Sequence, residues 1–401
     1  MSRKMNWFVG LGILVATLNS CAKPDAQADK RWYKGNLHTH SYWSDGDDYP
    51  EMIMDWYKTN GYQFVALSEH NIIADHEKWV SIAGDSLRKA ALTKYRDRFG
   101  DQWVEDQLDA EGLKIRLKTL EEYRPLFEDP GQFLIIQSEE ITNQLGDKPL
   151  HLNATNLREL IEPQQGESVV EVLQKSIDAV RAQRERTGTP MIVHLNHPNF
   201  HYAVSLEDMI ALQGEQFFEV FNGHPQVHNQ GDSLHIGTEE MWDLVNIAYL
   251  KQNKPLLFAL GTDDSHHYHR KGRTWSNAGR GWVMVRADTL SPDAIISALE
   301  AGDFYASTGV TLSELSVAGG TMKLSVAPEP GVHYTIRFYG GLSGEDHTSL
   351  LAEHEGTSAS YTMEPNVIFM RAKVLSDKPH PNPIESLDTE MAWTQPVLNR
   401  G

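Results

Sequence analysis

Two histidines one residue apart, His38-Thr39-His40, open a series of side chains that share one capacity: a nitrogen or oxygen lone pair able to bind a divalent cation. Glu69 and His70 follow, then Glu139 and Glu140, His151, His194 and His197, and last Asp263, Asp264 and His266. Residues two apart on an extended chain face one side, so His38 and His40 can reach one ion or two neighbouring ions. Asp264-Ser265-His266 repeats that geometry, and Asp45-Gly46 forms a turn able to fold a carboxylate back towards the first pair. A buried core does not accept so many polar groups unless something charged pairs them. Nitrogen and oxygen donors without sulfur, spread over six segments, exceed the four ligands of one structural zinc site and suit two or three borderline ions.

The segments ahead of these residues say what must position them. Apolar runs at Trp32–Leu37, Phe64–Leu67, Phe133–Ile136, Leu150, Met191–Val193 and Leu256–Leu260 each end at one donor group. A strand feeding a polar cluster at its C-terminal end is how a β/α barrel builds a site. Helices are expected at Glu51–Lys58, Ser168–Arg186, Leu206–Leu212, Glu239–Gln252 and Pro292–Ala301, several with good caps such as Ser168 and Ser291-Pro292. Residues 32–308 therefore read as an α/β domain with parallel strands, with a further strand at Gly281–Arg286. Asp75–Asp129 breaks the rhythm with charged residues and spaced apolars, and predicts a helical insertion, either a lid over the site or a solvated hairpin. Residues 309–401 carry short β-rich runs between Gly, Pro and Ser, which predicts a small antiparallel β domain packed on the barrel.

Over 32–308 the chain resembles the polymerase-and-histidinol-phosphatase (PHP) family. His38-x-His40 with Ser44-Asp45-Gly46 is similar to its first motif, and Ser68-Glu69-His70 to its second, where Thr-Asp-His is more usual. Ser138-Glu139-Glu140-Ile141 resembles the strand-end Gly-x-Glu, with His151 at the expected distance; His197-Pro198 and Asp264-x-His266 resemble the later His-Pro and closing Asp-x-His. The resemblance implies a distorted (β/α)7 TIM-like barrel holding two or three divalent ions, zinc, manganese or iron. Carried over by position, the implied metal ligands are His38, His40, Asp45, His70, Glu140, His151, His197, Asp264 and His266. Glu140 is preferred to Glu139 because it precedes Ile141, and it is the expected bridge between ions. Glu140, Asp264 and His266 are the expected catalytic residues, and His194 is expected to orient a ligand.

Such a centre implies hydrolysis, with a hydroxide shared by two ions attacking the substrate directly. The chain has no Gly-x-Ser-x-Gly elbow and a single cysteine, so no activated Ser or Cys nucleophile is expected. A small phosphate ester is the expected substrate, because its highly charged transition state gains most from clustered cations. Lys271, Arg273 and Arg280 are expected to clamp phosphate oxygens, and Asn222 and His224 to touch substrate or leaving group. A hydrolase of ester, amide or carbamate bonds and a non-catalytic cell-envelope binding protein are the alternatives.

The ends and the charge bound the setting. The 401 residues carry a formal charge of −19 and no basic stripe, which argues against binding nucleic acid through its phosphates. Arg3 and Lys4, an apolar stretch at Phe8–Leu18, and Leu18-Asn19-Ser20-Cys21 resemble a bacterial lipoprotein leader. Residues 1–21 are thus the expected signal peptide, Cys21 the lipid-bearing residue, and 22–31 a tether at the cell envelope, facing the periplasm or the outside.

Overall fold

The computed structural model describes Met1 and residues 30–399, so Cys21 and most of the expected leader and tether lie outside the described residues. Along the chain come β1 (Arg31–Asn36), α1 (Pro50–Thr59) and β2 (Phe64–His70), then β3 (Lys78–Ser81), α2 (Ser86–Phe99), β4 (Asp106–Asp109), β5 (Gly112–Leu117) and α3 (Leu120–Phe127). The hairpin β6 (Leu134–Leu145) and β7 (Lys148–Thr155) follows, then α4 (Val169–Thr187), β8 (Ile192–Leu195), α5 (Leu206–Ala211) and β9 (Phe217–Asn222). Next are α6 (Thr238–Lys251), β10 (Phe258–Thr262), β11 (Trp282–Ala287), α7 (Pro292–Glu300) and β12 (Phe304–Ser307). The remainder is all strand: β13 (Leu312–Ala318), β14 (Thr321–Val326), β15 (Tyr334–Leu342), β16 (Thr348–Glu355), β17 (Ser358–Thr362), β18 (Val367–Ile384), β19 (Leu387–Thr394) and β20 (Val397–Leu398). Among the described residues no helix is long and apolar enough to cross a membrane.

The five helices expected from the sequence are present within a residue or two of their expected ends. In α4, Ser168 caps the helix by accepting the Glu171 N–H, and Val169, Val172, Leu173, Ser176, Ile177 and Val180 form the buried stripe that packs on the sheet.

One large sheet runs in the order β10-β9-β8-β7-β6-β2-β1-β11-β12-β19-β18-β15-β16, with β20 on β18. Neighbours β1, β2 and β6 are parallel, as are β8, β9 and β10. Strand β7 is antiparallel to both β6 and β8, and β11 is antiparallel to β1. The chain thus builds a mixed α/β fold on one large sheet, whose antiparallel pairs at β7 and β11 depart from the regular parallel alternation of a (β/α)7 barrel. The physical reason at β7 is the tight turn at Gly146, φ +64°, which leaves no length for a crossover helix. The sheet still curls until its strand ends meet: His40 N–H donates to the Ser265 carbonyl at 3.0 Å, and Asp264 N–H to the His38 carbonyl at 2.9 Å. Leu37, Phe64, Ala66, Ile136, Ile192 and Leu260 fill the interior of that curl.

One other expectation needs correction. The insertion at 75–129 is not wholly helical, because β3, β5 and β4 form an antiparallel sheet beside α2 and α3. Leu113, Ile115 and Leu117 are spaced by two, a strand period, and Ile115 and Leu117 are fully buried. In the C-terminal segment β19, β18, β15 and β16 pair antiparallel and continue the main sheet beyond β12. The β13-β14-β17 sheet covers this extension, with Leu312, Met322 and Leu324 packed in one cluster with Ile336, Phe338 and Met370.

A buried ion-pair group locks the extension to α6. The Arg371 guanidinium meets Asp243 at 2.6 and 2.8 Å and Glu239 at 3.0 Å, and stacks over Trp242 and Tyr339. Removing Arg371 strands a buried Asp243 carboxylate, so Arg371→Ala should destabilise the protein by about 3–5 kcal/mol in chemical denaturation. A loss within 1 kcal/mol of zero, about the worth of an exposed pair, would contradict the locking role.

Candidate metal centre

Strand alternation decides which of two adjacent glutamates enters the centre. His70 and Glu140 stand opposite each other in the β2–β6 ladder, and Glu140 projects towards the curled interior. Glu139, one residue earlier, points away, accepts the Ile161 N–H at 2.9 Å, and is raised by burial to about 8. Glu140 Oε2 lies 3.1 Å from His70 Nδ1, 3.2 Å from His40 Nε2 and 3.3 Å from His38 Nε2. Its Oε1 lies 2.9 Å from His151 Nδ1 and 3.6 Å from His197 Nε2, and accepts from Asn196 Nδ2 at 2.8 Å. One carboxylate thus faces five imidazoles.

Asp264 forms the second focus. Its Oδ1 lies 3.3, 3.4 and 3.5 Å from His38, His40 and His266, and its Oδ2 is 3.9 Å from His197. Asp45 completes the outer side, 3.3 Å from His266 Nε2 and 3.6 Å from His70 Nε2, with its side chain 57% exposed. Gly46 permits this approach, since a Cβ there would come 2.5 Å from the His40 carbonyl oxygen. The nine residues implied by the family resemblance all fall within overlapping groups whose ligand atoms lie within 4.8 Å of one another: His40, Asp45, His70 and His266; His38, His197 and Asp264; His38, His40 and Glu140; His70, Glu140 and His151.

Hydrogen bonds from behind hold these rings. Buried Glu219 on β9 accepts from His38 Nδ1 at 2.6 Å, His197 N–H at 2.8 Å, Asn222 Nδ2 at 2.8 Å and Thr262 Oγ1 at 2.8 Å. With Nδ1 committed to Glu219, His38 turns Nε2 to Glu140 and Asp264, the arrangement by which a carboxylate orients a metal-binding imidazole. His194 stands 3.5 Å from the same Glu219 carboxylate. The His266 Nδ1–H donates to the Asp264 carbonyl at 3.0 Å, which frees its Nε2 for the centre. Both His197 (φ +20°) and Asp264 (φ +47°) adopt positive-φ backbone conformations uncommon for non-glycine residues, with their N–H groups donating to Glu219 and to the His38 carbonyl. Glu219, Asn196 and the rear role of Asn222 were missed in the sequence. The available signal was one glutamate inside the apolar run Phe217–Phe221.

The electrostatics show what this cluster wants. Burial opposes charge on His40, yet contacts to Asp264 and Glu140 outweigh it and raise the imidazole to about 10. Burial likewise opposes ionisation of Glu140, but His70, His38 and His151 hold it well below the usual carboxylate range; His38 and His40 do the same for Asp264. His38 Nε2, His40 Nε2, His151 Nδ1 and Glu140 Oε2 are buried without a hydrogen-bond partner. Converging, orphaned nitrogen and oxygen donors fit divalent cations, which would satisfy the lone pairs and replace the protons.

The residues expected to grip substrate divide differently. The cavity at the centre, about 360 Å³, has metal-type donors on one side and Phe200, His224, Gln226 and His267 on the other. Among the described residues, neither the insertion nor any Lys or Arg lines it. Arg280 is fully buried, with five N–H donations to the carbonyls of Gly223, Trp275, Gly272 and Asn382 and to Asn382 Oδ1, so no donor remains for phosphate. Arg273 pairs with Asp388 and the Ile384 carbonyl, and Lys271 is exposed over the Trp56 ring. Asn222 spends its amide on Glu219 and Asp264, which makes it a positioning residue. His224 alone of the five faces the cavity.

No family model and no curated protein matches the chain. Among solved structures it is similar to a two-domain protein from Bacteroides vulgatus containing a predicted PHP-like metal-dependent phosphoesterase, at 15% identity over 92% of this chain and 96% of that one, TM-score 0.40. It is also similar to a protein assigned as a metal-dependent phosphoesterase from Bifidobacterium adolescentis, at 13% identity over 58% and 87% of the two chains, TM-score 0.28. An amidohydrolase from Chromobacterium violaceum, with bound sulfate and no metal, matches at 13% identity over 59% and 88%, TM-score 0.28. Fold and site together define a mixed α/β protein with a buried His, Asp and Glu centre whose donors suit divalent cations.

Because His40 is raised to about 10, it carries a proton at pH 7 that a cation must displace. Calorimetric titration with Zn2+ should therefore show proton release, with heats that depend on the buffer and an affinity that rises from pH 6 to 9. Buffer-independent heats would contradict the assignment. Glu219→Gln should weaken metal affinity about 10–100-fold by loosening His38 and His197; unchanged affinity would remove Glu219 from that role.

Proposed function

We propose that this protein is a metal-dependent phosphoesterase acting on a small substrate outside the cytoplasm, tethered to a membrane by lipid on Cys21. The observation that carries the reading is Glu140, a buried carboxylate facing five imidazoles beside Asp264, with its Oε2 left without a hydrogen-bond partner. His38, His40, Asp45, His70, His151, His197 and His266 would complete the ligand set for two or three ions, with Glu140, His38, His40 and His70 shared between groups. Bound divalent ions supply an activated water at neutral pH and stabilise charge on the reacting oxygens.

The protein's own part is placement and exclusion. Glu140 and Asp264, held by Asn196 and Asn222, fix where positive charge gathers, and His266 stands at the edge of the cavity. His197 and Phe200 pack edge to face in the cavity wall. A dense group of cations is worth most to a substrate that develops negative charge on several oxygens, which favours a phosphoryl group. Among the described residues no Lys or Arg lines the cavity, which favours a second reading, hydrolysis of an uncharged ester, amide or carbamate, because such substrates need no cationic side chain.

The full chain should contain at least two divalent ions by elemental analysis and hydrolyse 4-nitrophenyl phosphate, and both His40→Ala and Asp264→Asn should reduce kcat by at least 10³-fold (an order-of-magnitude expectation). Turnover of aryl acetates or carbamates without aryl phosphates would transfer the assignment to the second reading. Fewer than one ion per chain would reject both. Cys21→Ser should move the protein from the membrane fraction to the soluble fraction of the cell envelope; unchanged fractionation would reject the lipid tether.

A further inference from the structure

Two imidazoles on the cavity wall are left over once the metal-type donors are assigned. His224 follows β9 and His267 follows His266, and neither belongs to a donor group of the centre. Their rings lie 5.6 and 6.4 Å, centroid to centroid, from the ring of His266.

Each is locked by the same device. His224 Nδ1 accepts the backbone N–H of Gln226 at 3.2 Å, and His267 Nδ1 accepts the backbone N–H of Ser276 at 3.2 Å. A ring nitrogen that accepts an N–H has its lone pair free, so the ring is neutral and its proton sits on Nε2. Neither Nε2 has a partner among the described residues. The rings are also braced: the Asn222 Oδ1 accepts the His224 backbone N–H at 2.8 Å, and Phe200 packs edge-on at 5.8 Å. The His267 backbone pairs with Ser276 and Asn277, while Trp275 packs on its ring at 4.8 Å with Arg270 stacked beyond.

We infer that His224 and His267 are the substrate-binding donors of this centre, each presenting a neutral Nε2–H to an oxygen of the reacting group that the metal ligands do not reach. The inference rests on the hydrolase reading above and deepens it: the two N–H donors can take separate oxygens of a tetrahedral group, as in a phosphate monoester, or converge on the single oxygen of a carbonyl, and the phosphate titration below distinguishes the two. Neutral donors also suit the place. Beside a cluster of cations, further positive side chains would repel the ions, whereas an oriented N–H dipole binds anionic oxygen without adding charge. Asn222 then serves both halves, since its Nδ2 holds Asp264 and its Oδ1 holds the turn that carries His224.

The test uses the full chain labelled with 15N-histidine, with resonances assigned through His224→Gln and His267→Gln. Both residues should show the Nε2–H tautomer, and inorganic phosphate should shift both resonances in the metal-loaded protein. His224→Ala and His267→Ala should keep the wild-type metal content and raise KM for 4-nitrophenyl phosphate about tenfold each, with kcat less affected. The Gln variants, which keep an N–H, should recover part of that loss. Loss of an ion in either variant would make the residue a ligand and overturn the inference. Resonances unmoved by phosphate would overturn it as well, and they decide the matter even if aryl phosphates are not turned over, an outcome that rejects only the proposed reaction.

Discussion

A carboxylate buried to 1% exposure cannot stay ionised in a protein interior unless opposite charge surrounds it, and Glu140 is that carboxylate here. Its two oxygens are approached by five imidazoles drawn from β2, β6's partner β7 and the loops after β1 and β8. The arrangement balances only when the rings carry protons or when cations stand between rings and carboxylates. Much of the surrounding structure serves this constraint, including Glu219 behind His38, the positive-φ backbone at His197 and Asp264, and the glycine that lets Asp45 approach.

The same constraint explains why the 309–399 segment is continuous with the sheet. The loop after β10 carries Asp264, His266 and His267, and Arg280 ties it to Asn382 on β18 while bonding Gly223 of the β9 loop. An arginine that reads as a phosphate clamp is instead a strut between two site loops and the C-terminal extension. Arg371 makes the corresponding link from β18 to α6. The extension thus fixes the loops that shape the cavity, and positive side chains are used to hold the frame.

Much of the centre was legible in the sequence because the ligands occur in short motifs whose spacing has a direct geometric meaning. His38-x-His40 shares a face because extended chain repeats every two residues, and the same rule separates Glu140 from Glu139. The helices were legible through caps and apolar stripes, as at Ser168 and α4. What escaped depends on contacts between distant residues. Nothing local marks Glu219 as the partner of His38, 181 positions away, and nothing local shows that five acceptors surround Arg280. The antiparallel β7 was hidden because Leu150-His151 matches the strand-then-ligand pattern in either direction. The insertion misled because charged residues outweighed the period-two spacing of Leu113, Ile115 and Leu117.

The most direct test of the central claim is anomalous diffraction from crystals of the full chain grown with Zn2+ or Mn2+, measured at the metal's absorption edge. At least two peaks are expected, each within ligand distance of Glu140 or Asp264 and bounded by the imidazoles of His38, His40, His70, His151, His197 and His266. A metal-loaded crystal with no peak at this centre, or with peaks confined to surface histidines elsewhere, would contradict it.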